Sequence, residues 1–110
     1  MGRKTSRLPP IAVKRTLRIL GSNLRDARRR RRIPMALMAE RVGVTRATLT
    51  KLERGDPSVS MGVYATAIFV LGFIDRLTDL ASPGLDEVGL ALEEERLPQR
   101  IRLKKCDTVP

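Results

Sequence analysis

The chain has 110 residues, 42% of them hydrophobic, yet it carries no tryptophan and only one tyrosine and two phenylalanines. A core of Leu, Val, Ile, Met and Ala at this length fits one compact helical domain better than a β-sandwich. The formal charge of +10 is concentrated at the front: residues 1–32 hold twelve bases against the single acid Asp26, and the remainder holds ten bases and eleven acids.

A nearly neutral body behind a strongly basic front is the arrangement of a polyanion binder. Cys106 stands alone and histidine is absent, so neither an internal disulfide nor a Cys/His metal site is expected, and no cofactor. No apolar run approaches the roughly 20 residues that cross a bilayer, and no apolar signal region follows the basic start. A cytoplasmic protein without membrane contact is the expectation. No nucleophile with a base, ligand cluster or phosphate-cradling loop is present, so the chain does not read as an enzyme and no catalytic residue is assigned.

Residues 1–10 are polar and basic and end in Pro9 and Pro10, the composition of a disordered arm. From Ile11, the residues Leu17, Leu20, Leu24 and Ala27 recur at three- and four-residue steps and predict one long helix to about Arg31. Gly21 weakens its early part by about 1 kcal/mol relative to Ala. Pro34 suits the first turn of a second helix, Met35 to Val42, which Gly43 ends. Thr45 is a good N-cap for a third helix, Arg46 to about Glu53, stopped by Gly55, Asp56 and Pro57.

Ser60 caps a fourth, Met61 to Leu71, and a short fifth covers Asp75 to Ala81. Tyr64, Phe69 and Phe73 are expected in the core. After the break at Ser82-Pro83-Gly84, a sixth helix is expected from Asp86 to Arg96, with its acids at the positive end. Glu93, Glu94 and Glu95 read as a solvated face rather than a metal site. Gln99 to Lys104 alternates, with Ile101 and Leu103 on one side and Arg100, Arg102 and Lys104 on the other, which is a strand pattern. A lone strand leaves its backbone groups unpaired, so the segment either pairs with a partner or is not a strand.

Met38, Ala39, Val42, Gly43, Val44, Leu49 and Leu52 fall where two steeply crossing helices need them: a small residue at closest approach, a glycine at the turn, and apolar residues closing the wedge. That is a helix-turn-helix. Through Gly43-Val44-Thr45 and Leu49-Thr50-Lys51-Leu52-Glu53-Arg54-Gly55 the chain resembles the XRE family of Cro-type repressors, over about residues 17–73. Through Gly55-Asp56-Pro57-Ser58-Val59-Ser60-Met61-Gly62 and Leu97-Pro98-Gln99-Arg100-Ile101-Arg102 it is most similar to the HipB-type antitoxins. Met35 departs from that pattern, because a phosphate-binding glutamine is common at the first position of helix two.

The expected fold is therefore all-α, a lambda-repressor-like five-helix domain over residues 11–81. A C-terminal extension over 82–105 ends in a short dimer-forming β-strand, and a tail covers 106–110. On the third helix Arg46, Ala47, Thr50 and Lys51 face solvent and are the candidate base readers: Arg46 for guanine, Ala47 for a thymine methyl, Lys51 for guanine or phosphate. Met35 through its amide, Thr45, Thr48, Arg28, Arg31 and Arg32 are the candidate phosphate contacts. Glu53 and Arg54 read as a helix-ending pair.

One module covers only part of an operator, so a homodimer on a palindromic double-stranded site is expected, its half-sites spaced by roughly 34 Å or more. Phe73, Leu77, Leu80, Ile101 and Leu103 are the candidate dimer residues. The resemblance to HipB-type proteins supports strand pairing between subunits and implies a HipA-like serine/threonine kinase toxin as partner. The alternatives are a standalone XRE-family regulator without a toxin and a nonspecific polycation acting through residues 1–32.

Overall fold

A computed structural model describes residues 8–96, all of whose regular elements are helices. They are α1 (Ile11–Arg30), α2 (Met35–Val42), α3 (Arg46–Glu53), α4 (Met61–Val70) and α5 (Ile74–Thr78), then a 3-10 turn (Pro83–Leu85) and α6 (Glu87–Arg96). The expected strand from Gln99 to Lys104, with Ile101 and Leu103, lies outside the described residues, as do residues 1–7 of the basic arm.

The chain divides into two compact units, residues 1–77 and 78–110. The first contains the core. Leu24 and Ala27 from α1, Met38, Ala39 and Val42 from α2, Leu49 and Leu52 from α3, and Tyr64, Ala67, Ile68 and Leu71 from α4 and its end form one buried cluster. Phe73, Ile74 and Leu77 pack against it from the start of α5. The residues that the periodicity placed in the wedge are thus inside, and Met38, Leu49 and Leu52 are its largest fully buried side chains.

The first turns of α1 stand largely clear of this core. Ile11, Val13 and Ile19 are exposed, and burial begins with Gly21, Leu24, Ala27 and Arg28. Gly21 is buried because α1 crosses the end of α3 there: a Cβ on it would lie 2.6 Å from the Leu52 carbonyl oxygen and 2.6 Å from the Gly55 nitrogen. The absent side chain that costs helix propensity is what admits the crossing.

α1 to α4 end alike. A backbone N–H two residues past each last turn donates back: Ile33 to the Arg28 carbonyl at 3.2 Å, Val44 to Ala39 at 3.0 Å, Asp56 to Lys51 at 3.0 Å and Phe73 to Ile68 at 2.9 Å. This closure needs one left-handed residue. Gly43, Gly55 and Gly72 supply it for α2, α3 and α4, whereas Arg32, at φ 55°, supplies it for α1.

In α4 the sequence has no charged residue, and Met61 and Phe69 are exposed, Phe69 at 64%. Phe69 was expected in the core; it sits on the face opposite Tyr64, Ala67 and Leu71 and is surface. Tyr64 is buried as expected, and Phe73 is half-buried against the core.

In the second unit Asp86 accepts from the Gly89 amide at 2.9 Å and so caps α6 rather than belonging to it. Leu85, Val88 and Leu92 are exposed within this unit. No helix among the described residues is long and apolar enough to cross a membrane.

Candidate nucleic-acid interface

α2 and α3 are held at a fixed angle by the turn between them. Gly43 takes φ 86°, its N–H donates to the Ala39 carbonyl at 2.8 Å, and the Val44 N–H donates to the same oxygen at 3.0 Å. Thr45 then starts α3 in extended backbone, and its side-chain oxygen accepts the Thr48 N–H at 3.1 Å. The Thr45 hydroxyl is also within 3.1 Å of the Thr48 hydroxyl and donates to it. Its cap role uses the Thr45 side chain inside the protein. The Thr48 hydroxyl, accepting from Thr45, keeps its own proton to give outward.

Leu49 and Leu52 face the core, which turns the opposite side of α3 to solvent. Arg46, Ala47 and Lys51 are exposed there, and Thr50 and Thr48 are half-buried at its margins. All four candidate base readers share one face. Arg54, at the C-cap in right-handed helical backbone, extends the same face by a further turn and is exposed.

Glu53 and Arg54 part company here. Glu53 is buried and receives the Arg28 guanidinium: Nε donates to Oε2 at 2.7 Å and Nη2 to Oε1 at 3.2 Å, with side chains 8% and 7% exposed. Arg28 Nη1 also donates to the Ile33 carbonyl at 2.8 Å, which ties the α1–α2 connection to α3. Arg28 is therefore no phosphate contact. It is 6% exposed and its donors are spent inside. A signal for this lay in its spacing from Gly21 and Leu24, which puts Arg28 on the buried face of α1, where an arginine needs an acid.

Of the other candidate phosphate residues, Arg32 is exposed beside the start of α2. Arg31 is exposed but engaged: Nη1 donates to the Ala27 carbonyl at 2.9 Å, and its guanidinium carbon lies 5.1 Å from the Phe73 ring centre. Arg76 stacks on the same ring at 4.6 Å. Met35 opens α2 with Pro34 as an N-cap that offers no side-chain bond, while its own side chain packs against the core.

The loop after α3 is built as tightly. Asp56 accepts the Ser58 N–H at 2.8 Å, and Tyr64 donates its hydroxyl to the Asp56 carbonyl at 2.8 Å. The Ser58 bonds hold the Asp56 carboxyl below its ordinary pKa, helped by the charge of Lys51. Burial pushes the Tyr64 phenol up.

Among the candidate dimer residues, Phe73 and Leu77 are half-buried against their own core, and Leu80 is exposed in the second unit. Ile101 and Leu103 lie outside the described residues. Among the described residues no three His, Cys, Asp or Glu side chains come together as metal ligands would.

No curated protein and no solved structure matches the chain. A family described as a helix-turn-helix domain does match, over residues 19–81, more than half of the 110 residues. That span contains the buried Arg28–Glu53 pair, the Gly43 turn and the whole exposed face of α3. The chain belongs to the helix-turn-helix domain family, and it is a DNA-binding regulator of that class.

Proposed function

We propose that the protein is a sequence-specific transcriptional repressor that binds a palindromic operator as a homodimer and serves as the antitoxin of a HipBA-like toxin–antitoxin system. The observation that carries the DNA-reading part is the exposed face of α3, where Arg46, Ala47, Thr50 and Lys51 stand together on a helix whose other side is locked in the core. Arg46, at the N-terminal tip, bonds guanine O6 and N7; Ala47 meets a thymine methyl; Lys51 reaches a base or phosphate one turn on. Met35 through its amide, the Thr48 hydroxyl and Arg32 anchor phosphates, with Arg31 joining when it leaves the Phe73 ring and Thr45 holding the helix tip.

The antitoxin part rests on the resemblance of Gly55 to Gly62 and Leu97 to Arg102 to HipB-type proteins, and it names a HipA-like serine/threonine kinase as the neutralised partner. Dimer contacts fall to Phe73, Leu77, Leu80, Ile101 and Leu103. A standalone XRE-family regulator is the second reading, supported by the match to a helix-turn-helix domain over residues 19–81.

The test has two arms. Selection from a random duplex pool should enrich a two-fold symmetric site, and Arg46→Ala should relax preference at one base pair of each half-site at a cost of about 1–3 kcal/mol. Equal losses on the selected and random duplexes would remove Arg46 as a base reader. For the antitoxin role, a HipA-like kinase frame beside this gene and its co-purification with the chain are expected. A lone gene that regulates transcription would favour the standalone regulator.

A further inference from the structure

The recognition face of α3 does not stop at Lys51. Ala47, Thr50, Lys51 and Arg54 stand at i, i+3, i+4 and i+7, which is one side of a helix. Arg54 is exposed and keeps right-handed helical backbone (φ −90°, ψ −5°), so it continues that side although it caps the helix.

Its charge, too, is left without an ion pair among the described residues. The neighbouring acid in sequence, Glu53, points inward and is neutralised by Arg28 through two hydrogen bonds. The next acid, Asp56, is held by the Ser58 amide and acts electrostatically on Lys51. Among the described residues the only ion pairs are Arg25 with Asp26 and Arg28 with Glu53, so Arg54 has no carboxylate partner.

Position decides which part of DNA such a cation meets. Residues at the N-terminal tip of a recognition helix meet base edges. Arg54 lies eight residues beyond Arg46, about 12 Å along the helix axis at 1.5 Å per residue. That exceeds both the half-width of the major groove, about 6 Å, and its depth, about 8.5 Å, so a helix with Arg46 over the bases carries Arg54 out to the groove wall, where the phosphates run.

We infer that Arg54 is a further DNA-contacting residue, a phosphate clamp at the far wall of the groove that fixes how α3 lies across the half-site. The inference rests on the DNA-reading function proposed above. Burial of Glu53 is what frees it, since an exposed glutamate beside Arg54 would repel the same phosphate.

Arg54→Ala, Arg54→Gln and Arg54→Lys in the full chain test it, with binding measured between 50 and 200 mM salt on a duplex selected by the wild type and on a random-sequence duplex. Removing one phosphate contact makes the plot of log affinity against log salt shallower by about 0.9. The Ala and Gln variants should show that change, with weaker binding on both duplexes by the same factor, and Lys should restore the slope. An unchanged slope in Ala and Gln would overturn the assignment, as would a loss confined to one base pair. Because Arg54 is exposed, thermal melting of all three should match wild type; a Gln variant that melts lower and loses affinity without a slope change also counts against a clamp. A wild type that binds no duplex refutes the function itself, a separate outcome.

Discussion

Arg28 and Glu53 show how a single buried contact can outweigh the local pattern around it. Two charges at 8% and 7% exposure are costly to desolvate, and what offsets the cost is the paired geometry at 2.7 and 3.2 Å plus the third bond to Ile33. Glu53→Gln leaves the guanidinium buried without its counter-charge and should lower unfolding free energy by about 3–5 kcal/mol, read from the urea midpoint. Arg28→Met combined with Glu53→Leu should recover most of that loss, because it removes the desolvation together with the pair. Tyr64 gives a prediction in pH. Its folded pKa lies above the unfolded value of 10.0, so folding favours the neutral phenol. Its stability contribution is complete below pH 10 and is lost as pH rises from 10 through the folded pKa, because the unfolded chain ionises first. Tyr64→Phe should remove that alkaline limb while costing about 1 kcal/mol at neutral pH for the lost bond to Asp56. Urea titrations of both proteins at pH 7 to 11 check it.

At the scale of the element, punctuation made the helices legible. Thr45 and Ser60 both bond the amide three residues on, as good caps do, and Gly43, Gly55 and Gly72 all stand at left-handed stops. Such signals are local, so one sequence suffices to read them, as it did for the face of α3 bearing Arg46, Ala47, Thr50 and Lys51. What escaped involves partners far along the chain: Gly21 meets Leu52 and Gly55, and Arg28 meets Glu53. Phe69 escaped because α4 is apolar all round, and an apolar face carries no mark of which side is covered. The middle of α1 and the stop beyond its C-terminus then predict substitutions of opposite sign. Gly21→Ala gains helix propensity of about 1 kcal/mol, but its Cβ meets backbone at 2.6 Å, and overpacking of about 1–3 kcal/mol wins. Arg32→Gly relieves the left-handed strain and, after the entropy that glycine loses on folding, should gain about 0.5–1 kcal/mol. Melting curves of the two variants should move in opposite directions, and the Arg32 variant should bind DNA more weakly despite its higher stability.

For the whole molecule, the proposed function divides attraction and choice between different parts of the chain. The exposed face of α3 bears three cations, Arg46, Lys51 and Arg54, whereas residues 1–32 hold twelve bases, of which, among the described residues, only Arg28 is buried in an internal pair. A basic front of this kind adds affinity through counterion release and has no means of telling one base pair from another, so on the proposed function the differences fall to α3. Deleting residues 1–9 separates the two roles and leaves α1 its N-cap Pro10, whose carbonyl accepts the Lys14 N–H at 3.0 Å. It removes Arg3, Lys4 and Arg7. If all three meet phosphates, the salt dependence should become shallower by up to about 2.7, at about 0.9 per contact, with affinity falling by one factor on the selected and the random duplex alike. The half-site preference proposed for Arg46 and its neighbours should stay as in the full chain. A protein that merely coats polyanions makes the contrary prediction: no preference in the wild type, and a binding loss that scales with the cations removed wherever they sit, so that neutralising Arg46 and Lys51 costs no more than neutralising two bases of the arm.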